Sequence, residues 1–313
     1  MAVFTKLQTH EINKILGNYN LGQLKKFHGI KQGVENTNYF IKTDKKKIIL
    51  TIFEKRVQAK DVPFFVNLML HMNRGGFKCP KPLEKKDKKI IFKIKNKNAI
   101  LVSFLEGKSK KQLTPADCKI VGKQIAKFHK ISSKFSKTRK NTLASATWVK
   151  IYNQTKKDYP QYSKSLKTYI DFYKKNKPKK LSRGIIHADL FPDNIFFKNK
   201  KFAGFIDFYF SCNGSYLYEL AIAINALCFQ NNKIKKTNIK KLIEGYSTIK
   251  KLKLNDLNKI NILCLGAAIR YFVTRLYDLK NTPKHAKIQK KDPKEYLLKM
   301  KYFYQNINNN IYD

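Results

Sequence analysis

The sequence predicts an α+β protein with two lobes, a small and mainly antiparallel β lobe with a helix followed by a larger, mostly helical lobe. Short apolar runs of strand length crowd the first third of the chain. From residue 114 onward, apolar residues recur mostly at helical spacing. This helical part is interrupted at 184–209 by a strand, a polar loop, a strand, a tight turn and a strand. We therefore place the lobes at 1–105 and 106–313, with a hinge at about 103–108.

The first lobe begins with a short amphipathic helix at 9–16, for which Thr9 is the expected N-cap. A second helix is expected at 61–74, because Asp61 can cap it, Pro63 suits its first turn and two glycines follow it. Strands are expected at 24–30, 38–42, 47–53, 90–94 and 99–105. Together these elements predict a compact antiparallel lobe.

The second lobe opens with Thr114-Pro115-Ala116-Asp117, which combines an N-cap, a proline at the first helical position and an acidic third residue. Further helices are expected at 148–152, 162–174, 216–229, 239–246, 257–279 and 293–304, with a basic loop at 132–146. His129 lies beside the apolar stripe of its helix and is expected to be structural. Glu219 lies in a strongly apolar helix and needs a partner, because a buried carboxylate is costly without one.

The interruption at 184–209 carries the residues with the clearest chemistry. His187, Asp189 and Asn194 occupy the polar loop between the first two strands, and Asp207 follows the third strand. Asp189 can accept a proton from a hydroxyl, while the oxygens of Asn194 and Asp207 suit Mg²⁺ on nucleotide phosphates. The alternative, ordinary capped turns between buried strands, explains the combination of loop, flanking strands and downstream aspartate less well.

Two other segments of the first lobe suit a nucleotide. The loop 31–37 contains Gly33 and small polar residues, so its N–H groups could approach phosphates, although an ordinary hairpin turn fits equally well. At the hinge, a nucleotide base is expected to bind against free backbone groups from Ser103 to Leu105.

Composition restricts the class of protein. The 66 basic and 21 acidic residues give a formal charge of +45, but lysines spread along the whole chain indicate a compositional background that attracts anions. No specific nucleic-acid partner is expected. The start lacks the apolar core of a signal peptide, and no uninterrupted apolar run approaches about 18 residues. Cytoplasm is the expected location, without a membrane partner, and the five dispersed cysteines are expected to be reduced and mostly buried.

Taken together, these motifs resemble the aminoglycoside-phosphotransferase-like (protein-kinase-like) small-molecule kinases over nearly the whole chain. The residues that carry the resemblance are Gly33–Phe40, Phe53–Val57, Asp61–Phe65, His187–Asn194, Ile206–Phe210 and Thr274–Asp278. Within this family, the segments Asp189-Leu190-Phe191-Pro192-Asp193-Asn194, Asp207-Phe208-Tyr209-Phe210 and Arg275-Leu276-Tyr277-Asp278 are similar to those of bacterial homoserine kinases of this fold.

The resemblance implies a bilobal, protein-kinase-like fold and transfer of a phosphoryl group from ATP to the hydroxyl of L-homoserine, a step of threonine biosynthesis. It implies that Asp189 is the catalytic base and that His187 orients the loop. It also implies that Asn194 and Asp207 are the Mg²⁺ ligands, and that Glu219 supports the loop from behind.

The resemblance further implies that the turn from Gly33 to Asn38 covers the ATP phosphates. Such kinases usually carry lysine or arginine in the middle of the third strand, where this chain has Thr51. Lys55 or Arg56 could supply the charge instead. The expected ATP contacts are Gly33, Asn36, Asn38, Thr51, Lys55, Ser103 and Leu105.

The sequence says less about the residues that bind the acceptor. Arg270 and Arg275 are expected to bind a substrate carboxylate through their guanidinium forks, but salt bridges between helices fit the pair equally well. Tyr209 is a further expected substrate contact. Two alternatives stay open: a kinase of an amino alcohol or sugar, and a catalytically silent protein that binds nucleotides or nucleic acid. The oligomeric state is not predicted.

Overall fold

The computed structural model describes residues 3–30, 36–54, 57–281 and 291–312. Within these ranges the chain divides into two units, and the division falls between Gly107 and Lys108. Unit 1 also includes Ala203–Tyr209, a segment that the sequence assigned to the second lobe. The remaining described residues form unit 2.

Unit 1 is built on an antiparallel sheet of five strands in the order β1-β2-β3-β5-β4. Its helices are α1 (Thr9–Leu16) and α2 (Val62–Arg74), and its strands are β1 (Leu24–Gly29), β2 (Thr37–Thr43), β3 (Lys47–Ile52), β4 (Phe92–Ile94) and β5 (Lys97–Ser103). The register of β2 and β3 places Asn38 opposite Thr51. Apolar residues of α1 and of the sheet share one buried cluster, which includes Ile12, Ile41 and Leu50.

Local predictions for unit 1 were right about the elements and less accurate at their ends. The N-cap of α1 is Gln8 rather than Thr9, and the N–H group of Gln8 donates to the Glu11 carboxylate at 2.7 Å. Strand β4 begins at Phe92 rather than at residue 90, and its end at Ile94 is as predicted. It ends where Lys95 and Asn96 take positive φ angles of 45° and 65°, the geometry of a tight hairpin turn into β5.

Unit 2 is mostly helical, as predicted. Its helices are α3 (Pro115–Ser132), α4 (Ser145–Thr155), α5 (Pro160–Asn176), α6 (Tyr216–Leu227), α7 (Lys236–Ser247), α8 (Leu254–Leu257), α9 (Ile260–Asn281) and α10 (Lys294–Gln305). The predicted cap of α3 is confirmed, since the side chain of Thr114 accepts from the N–H of Asp117 and the Asp117 carboxylate bonds back to Thr114.

Short strands also lie along the chain after Gly107. They are β6 (Lys108–Ser109), β7 (Arg183–Ile186), β8 (Ile195–Lys198), β9 (Lys201–Phe205), β10 (Cys212–Ser215), β11 (Phe229–Gln230) and β12 (Lys233–Ile234). Strand β7 pairs with β10, and β8 pairs with β6 in the sheet β6-β8-β9. Asn199 and Lys200 both have positive φ, as a two-residue hairpin turn between β8 and β9 requires. The loop from His187 to Asn194 is therefore anchored at each end by a different sheet.

Helix α9 is the central helix of unit 2. Sixteen of its 22 residues are buried, and it packs against α4, α5, α6 and α10. The run Leu254–Asn281 has the length and apolar composition of a membrane-crossing helix, but 89% of its most apolar window is buried inside the protein itself, as in a core helix. All five cysteines are also buried, as predicted.

Candidate active site

The backbone of the loop between β7 and β8 is held in an uncommon conformation. Ala188 has a φ of 66°, in the left-handed region that residues other than glycine rarely adopt. Glu219, fully buried in the first turn of α6, accepts hydrogen bonds from the N–H groups of His187 and, at 3.0 Å, of Ala188. These two charge-assisted hydrogen bonds stabilise the strained turn. Glu219 thus contacts the loop that it is expected to support.

Helix α9 holds the same turn through two adjacent side chains. Nη1 of Arg270 donates to the Ala188 carbonyl at 2.8 Å, and the Tyr271 hydroxyl lies 3.2 Å from that oxygen. The Tyr271 hydroxyl also lies 3.3 Å from Oδ1 of Asp189. The backbone of Ala188 is therefore held at its N–H group by α6 and at its carbonyl group by α9.

Asp189 and Asn194 meet at the end of the loop. The amide Nδ2 of Asn194 donates to the backbone carbonyl of Asp189 at 2.8 Å and to Oδ2 of its carboxylate at 3.2 Å. Both carboxylate oxygens of Asp189 consequently have a donor, which restricts the side chain to one orientation. Because the Asn194 amide turns Nδ2 toward Asp189, its Oδ1 faces away from that carboxylate and suits a hard cation.

The environment of Asp189 makes it a stronger base than an ordinary aspartate. Burial raises the pKa of its carboxyl to about 6, although the positive charges of Arg270 and Lys291 act in the opposite direction. A general base works best when its pKa approaches the operating pH. Asp189 therefore combines a fixed orientation with a basicity suited to accepting a proton.

The two histidines near this loop are buried and differ in their contacts. Nδ1 of His187 faces the N–H of Asp189 at 3.3 Å, a contact that fits the loop-orienting role predicted for it. Nδ1 of His129 lies 3.0 Å from the Tyr246 hydroxyl, and its Nε2 lies 3.8 Å from Glu219. Burial lowers the pKa of His129, so the ring is neutral behind the loop. This burial fits the structural role predicted for His129.

In unit 1, the position opposite Asn38 in the sheet carries a hydroxyl rather than a basic side chain. Thr51 is 2% exposed, and its Oγ1 donates to Oδ1 of Asn38 at 2.8 Å. The Tyr209 hydroxyl lies 3.5 Å from the same Oγ1, and the Tyr209 ring packs on Phe53 with centroids 4.9 Å apart. Asp207, two residues before Tyr209, has a φ of 61°. Thr51 and Tyr209 thus belong to one small polar contact within unit 1.

The remaining expected ATP contacts are only partly described. Gly33, Lys55 and Arg56 lie outside the described residues. Oδ1 of Asn36 accepts from the N–H of Glu54 at 3.4 Å.

At the hinge, the N–H groups of Ser103 and Phe104 already donate to the carbonyls of Lys81 and Lys47. The expectation of free backbone donors was therefore wrong at these two residues, because they continue the sheet pairing. ATP contacts by Ser103 and Leu105 stay predictions.

The two arginines expected at the acceptor both have partners within the protein. Arg270 is 2% exposed and holds the Ala188 carbonyl, as described above. Nη1 of Arg275 donates to Glu295 at 2.8 Å and to the Asp292 carbonyl at 2.6 Å. This is the salt bridge between helices that the sequence left open as an alternative. Substrate contacts by Arg270, Arg275 and Tyr209 stay predictions.

The contact between Tyr271 and Asp189 was not predicted from the sequence. The two residues are separated by 82 positions, and no spacing signal connects them. Its neighbour Arg270 was noticed for its charge, although its observed contact is with the loop backbone. The thiol of Cys212 is buried, which raises its pKa to about 11, so it stays protonated and is unsuited to act as a nucleophile.

Comparisons with known proteins agree with this geometry. Residues 26–234 match the model of the phosphotransferase enzyme family. The chain is 39% identical to a homoserine kinase of Agrobacterium fabrum, covering 96% of this chain and 95% of the relative. It is 40% identical to a homoserine kinase of Bartonella henselae, covering 97% of both chains. A homoserine kinase of Brucella melitensis is 37% identical over 97% of this chain and 95% of its own.

Two solved structures of small-molecule kinases share this fold. A spectinomycin phosphotransferase in complex with ADP and spectinomycin has a TM-score of 0.69 at 16% identity, covering 98% of this chain and 97% of its own. An amicoumacin kinase in complex with AMP-PNP and Ca²⁺ has a TM-score of 0.71 at 13% identity, covering 97% and 95%. The predicted α+β, protein-kinase-like fold class is confirmed. The chain belongs to the phosphotransferase enzyme family.

Proposed function

We propose that this protein transfers the γ-phosphoryl group of ATP to the hydroxyl of L-homoserine, forming O-phospho-L-homoserine and ADP in a step of threonine biosynthesis. The reaction type is supported by the Asp189 carboxylate, which Tyr271 and Asn194 orient and burial makes more basic. The choice of L-homoserine as the acceptor is supported by homoserine kinases that are 37–40% identical to this chain over nearly their whole length.

Asp189 acts as the base in this mechanism. Its carboxylate accepts the hydroxyl proton while the acceptor oxygen forms a bond to the γ-phosphorus and the bond to the leaving ADP oxygen breaks. The protein forms no covalent bond, so positioning contributes most to the rate. His187 and Glu219 fix the loop from one side, and Tyr271 holds the base from the other.

Asn194 and Asp207 are the proposed metal ligands. An amide oxygen and a carboxylate are hard oxygen donors of the kind that Mg²⁺ prefers, and the hydrogen bonds of Asn194 turn its oxygen away from Asp189. When bound, Mg²⁺ neutralises charge on the phosphates of ATP.

Unit 1 supplies the proposed contacts to ATP. They are Gly33, Asn36, Asn38, Thr51, Lys55, Ser103 and Leu105. Among these residues, Thr51 shares a polar contact with Asn38 and with Tyr209. The strongly positive chain attracts the anionic nucleotide, and this attraction weakens as the salt concentration rises.

ADP release from ATP and Mg²⁺ tests the proposal, with L-homoserine, L-serine, choline or no acceptor in parallel reactions. We expect fast release with L-homoserine and little with the other three. Fast release with choline or L-serine instead would keep the kinase and reject the acceptor. Absence of acceptor-dependent release in every reaction would reject the proposed activity.

A further inference from the structure

Unit 2 carries an exposed lysine beside the proposed base that no step of the mechanism above uses. The inference drawn from it rests on the proposed function, because L-homoserine carries an α-carboxylate only a few bonds from the hydroxyl that is phosphorylated. When that hydroxyl contacts Asp189, the carboxylate lies near the same loop. An amino-acid kinase therefore needs a cation at this place, since a carboxylate is held best by a charged donor.

The two arginines that were expected to bind this carboxylate have partners within the protein. The guanidinium of Arg270 is buried, lies 4.7 Å from the centroid of the Tyr271 ring and bonds the Ala188 carbonyl. Arg275 bonds Glu295 and the Asp292 carbonyl and joins α9 to α10. Moving either guanidinium onto a substrate would leave buried or partly buried groups without their partner, which is costly.

Lys291 is placed differently. Its Nζ lies 4.9 Å from the centroid of the Phe191 ring, and its side chain is 54% exposed. Phe191 belongs to the loop from His187 to Asn194, where its N–H donates to the Asp189 carbonyl at 2.9 Å. The Phe191 ring also packs edge-on against Tyr271, whose hydroxyl contacts Asp189. Lys291 is thus held by a cation–π contact over the residue that stands two positions after the base.

The ion pair of Lys291 is open to exchange. Its Nζ lies 3.8 Å from Oδ2 of Asp193, whose side chain is 66% exposed. Ion pairs between exposed side chains at such distances contribute little to stability. The Lys291 ammonium has three donors, so it can accept a second carboxylate without leaving Asp193.

We propose that Lys291 binds the α-carboxylate of the amino-acid acceptor and thereby selects an amino acid over a simple amino alcohol. Phe191 positions the ammonium group, and the exposed side of Lys291 meets the substrate. The charge of Lys291 also reaches the base, because after burial and Arg270 it is the next influence on the pKa of Asp189.

Steady-state kinetics of Lys291→Met test this proposal. Because a hydrogen bond to a charged group is lost, we expect the KM for L-homoserine to rise about tenfold or more, with the KM for ATP changed less than about twofold. Lys291→Arg should recover part of the loss, since it keeps the charge. Lys301→Met is the matched control, because Lys301 is an exposed lysine on α10. It should leave both KM values unchanged.

Two fragments of the substrate separate this role from a general effect of charge. The inhibitor 4-hydroxybutanoate keeps the carboxylate and lacks the ammonium, whereas 3-amino-1-propanol lacks the carboxylate. Competitive inhibition by 4-hydroxybutanoate should weaken in Lys291→Met about as much as L-homoserine binding, while inhibition by 3-amino-1-propanol stays the same. These constants are measurable whether or not the fragments are phosphorylated.

An equal change for both fragments, or an unchanged KM for L-homoserine, would overturn the role of Lys291. This failure differs from a failure of the proposed function, which would appear as absent turnover of L-homoserine by the unaltered protein.

Discussion

At the scale of single residues, Asp189 depends on a tyrosine that lies far from it in the sequence. The Tyr271 hydroxyl lies 3.3 Å from Oδ1 of Asp189 and 3.2 Å from the Ala188 carbonyl. Its ring packs on Phe191 with centroids 4.9 Å apart. The hydroxyl of Tyr271 therefore contacts both Asp189 and the carbonyl of Ala188. Its ring supplies the packing on Phe191.

Tyr271→Phe should lower kcat about tenfold and leave the KM for ATP nearly unchanged, because one hydrogen bond to the charged base is lost while the ring is kept. Tyr296→Phe is the control. Tyr296 is an equally buried tyrosine that packs on Tyr271, and its hydroxyl has no hydrogen-bond partner in the described part of the chain. Steady-state kinetics of both variants decide the matter, and equal kcat values would contradict a specific role for the Tyr271 hydroxyl.

His129 gives the protein a second property that can be tested at one residue. Burial lowers the pKa of this histidine, the nearby Glu219 acts in the opposite direction, and the charge of Lys250 lowers the pKa further. The folded protein therefore binds this proton less readily than the unfolded chain does. Stability should fall as the pH drops through the ordinary pKa range of histidine, because the unfolded state then gains a proton that the folded state does not.

Urea unfolding at pH 8 and pH 5.5 measures this effect. Between the two pH values, the unaltered protein should lose more free energy of unfolding than His129→Gln, which cannot titrate. The comparison uses the difference between the two pH values, so a general destabilisation by the substitution cancels. Parallel losses in the two proteins would show that His129 does not contribute.

At the scale of elements, α9 connects the loop from His187 to Asn194 to the rest of unit 2. Arg270 and Tyr271 reach the loop from this helix, and Arg275 joins the helix to α10. The Glu295 carboxylate of α10 also bonds Lys299, whose Nζ donates to the Asn225 carbonyl at 2.7 Å. Glu295 thus serves two cations that are almost completely buried.

Glu295→Gln should lower the free energy of unfolding by about 2 kcal/mol, because it leaves Arg275 and Lys299 without a counter-charge. The effect should stay below that of a fully buried pair, since the side chain of Glu295 is 40% exposed. Asp171→Asn is the control, because it breaks an exposed ion pair within one helix. Urea unfolding measures the free energy of unfolding of both variants. Equal values would contradict the role of Glu295 as the counter-charge.

The elements also show where sequence patterns suffice. Helices such as α3 carried a cap and an apolar stripe within one stretch of sequence, and they were predicted to within a few residues. Strand β10 was missed, because it has four residues and pairs with β7 only in the folded chain. Strand pairing of this kind depends on contacts between distant parts of the chain, which a local sequence pattern does not show. Thr9 was mistaken for the N-cap because threonine is a common residue at that position, whereas the structure has Gln8 there.

At the scale of the whole molecule, the sequence motifs were sufficient for the reaction and, through the resemblance that they carry, for L-homoserine as the acceptor, but not for the contacts of the side chains expected to bind it. His187, Asp189 and Asn194 are close in sequence, so their association follows from one loop. The partners of Arg270 and Arg275 depend on how helices pack, which no spacing in the sequence reveals. The same holds for Lys291, whose contacts with Phe191 and Asp193 bridge about 100 positions. The contacts of these side chains are therefore visible only in the folded chain.

In the proposed reaction, the Asp189 carboxylate removes the proton from the hydroxyl of L-homoserine during phosphoryl transfer. Phosphorus NMR of the reaction with ATP, Mg²⁺ and L-homoserine tests it most directly, with Asp189→Asn compared under the same conditions. We predict signals of O-phospho-L-homoserine and ADP from the unaltered protein, and a product rate lower by a factor of about 100 or more in the variant, which still binds ATP. Inorganic phosphate in place of O-phospho-L-homoserine, or similar product rates from both proteins, would contradict the account.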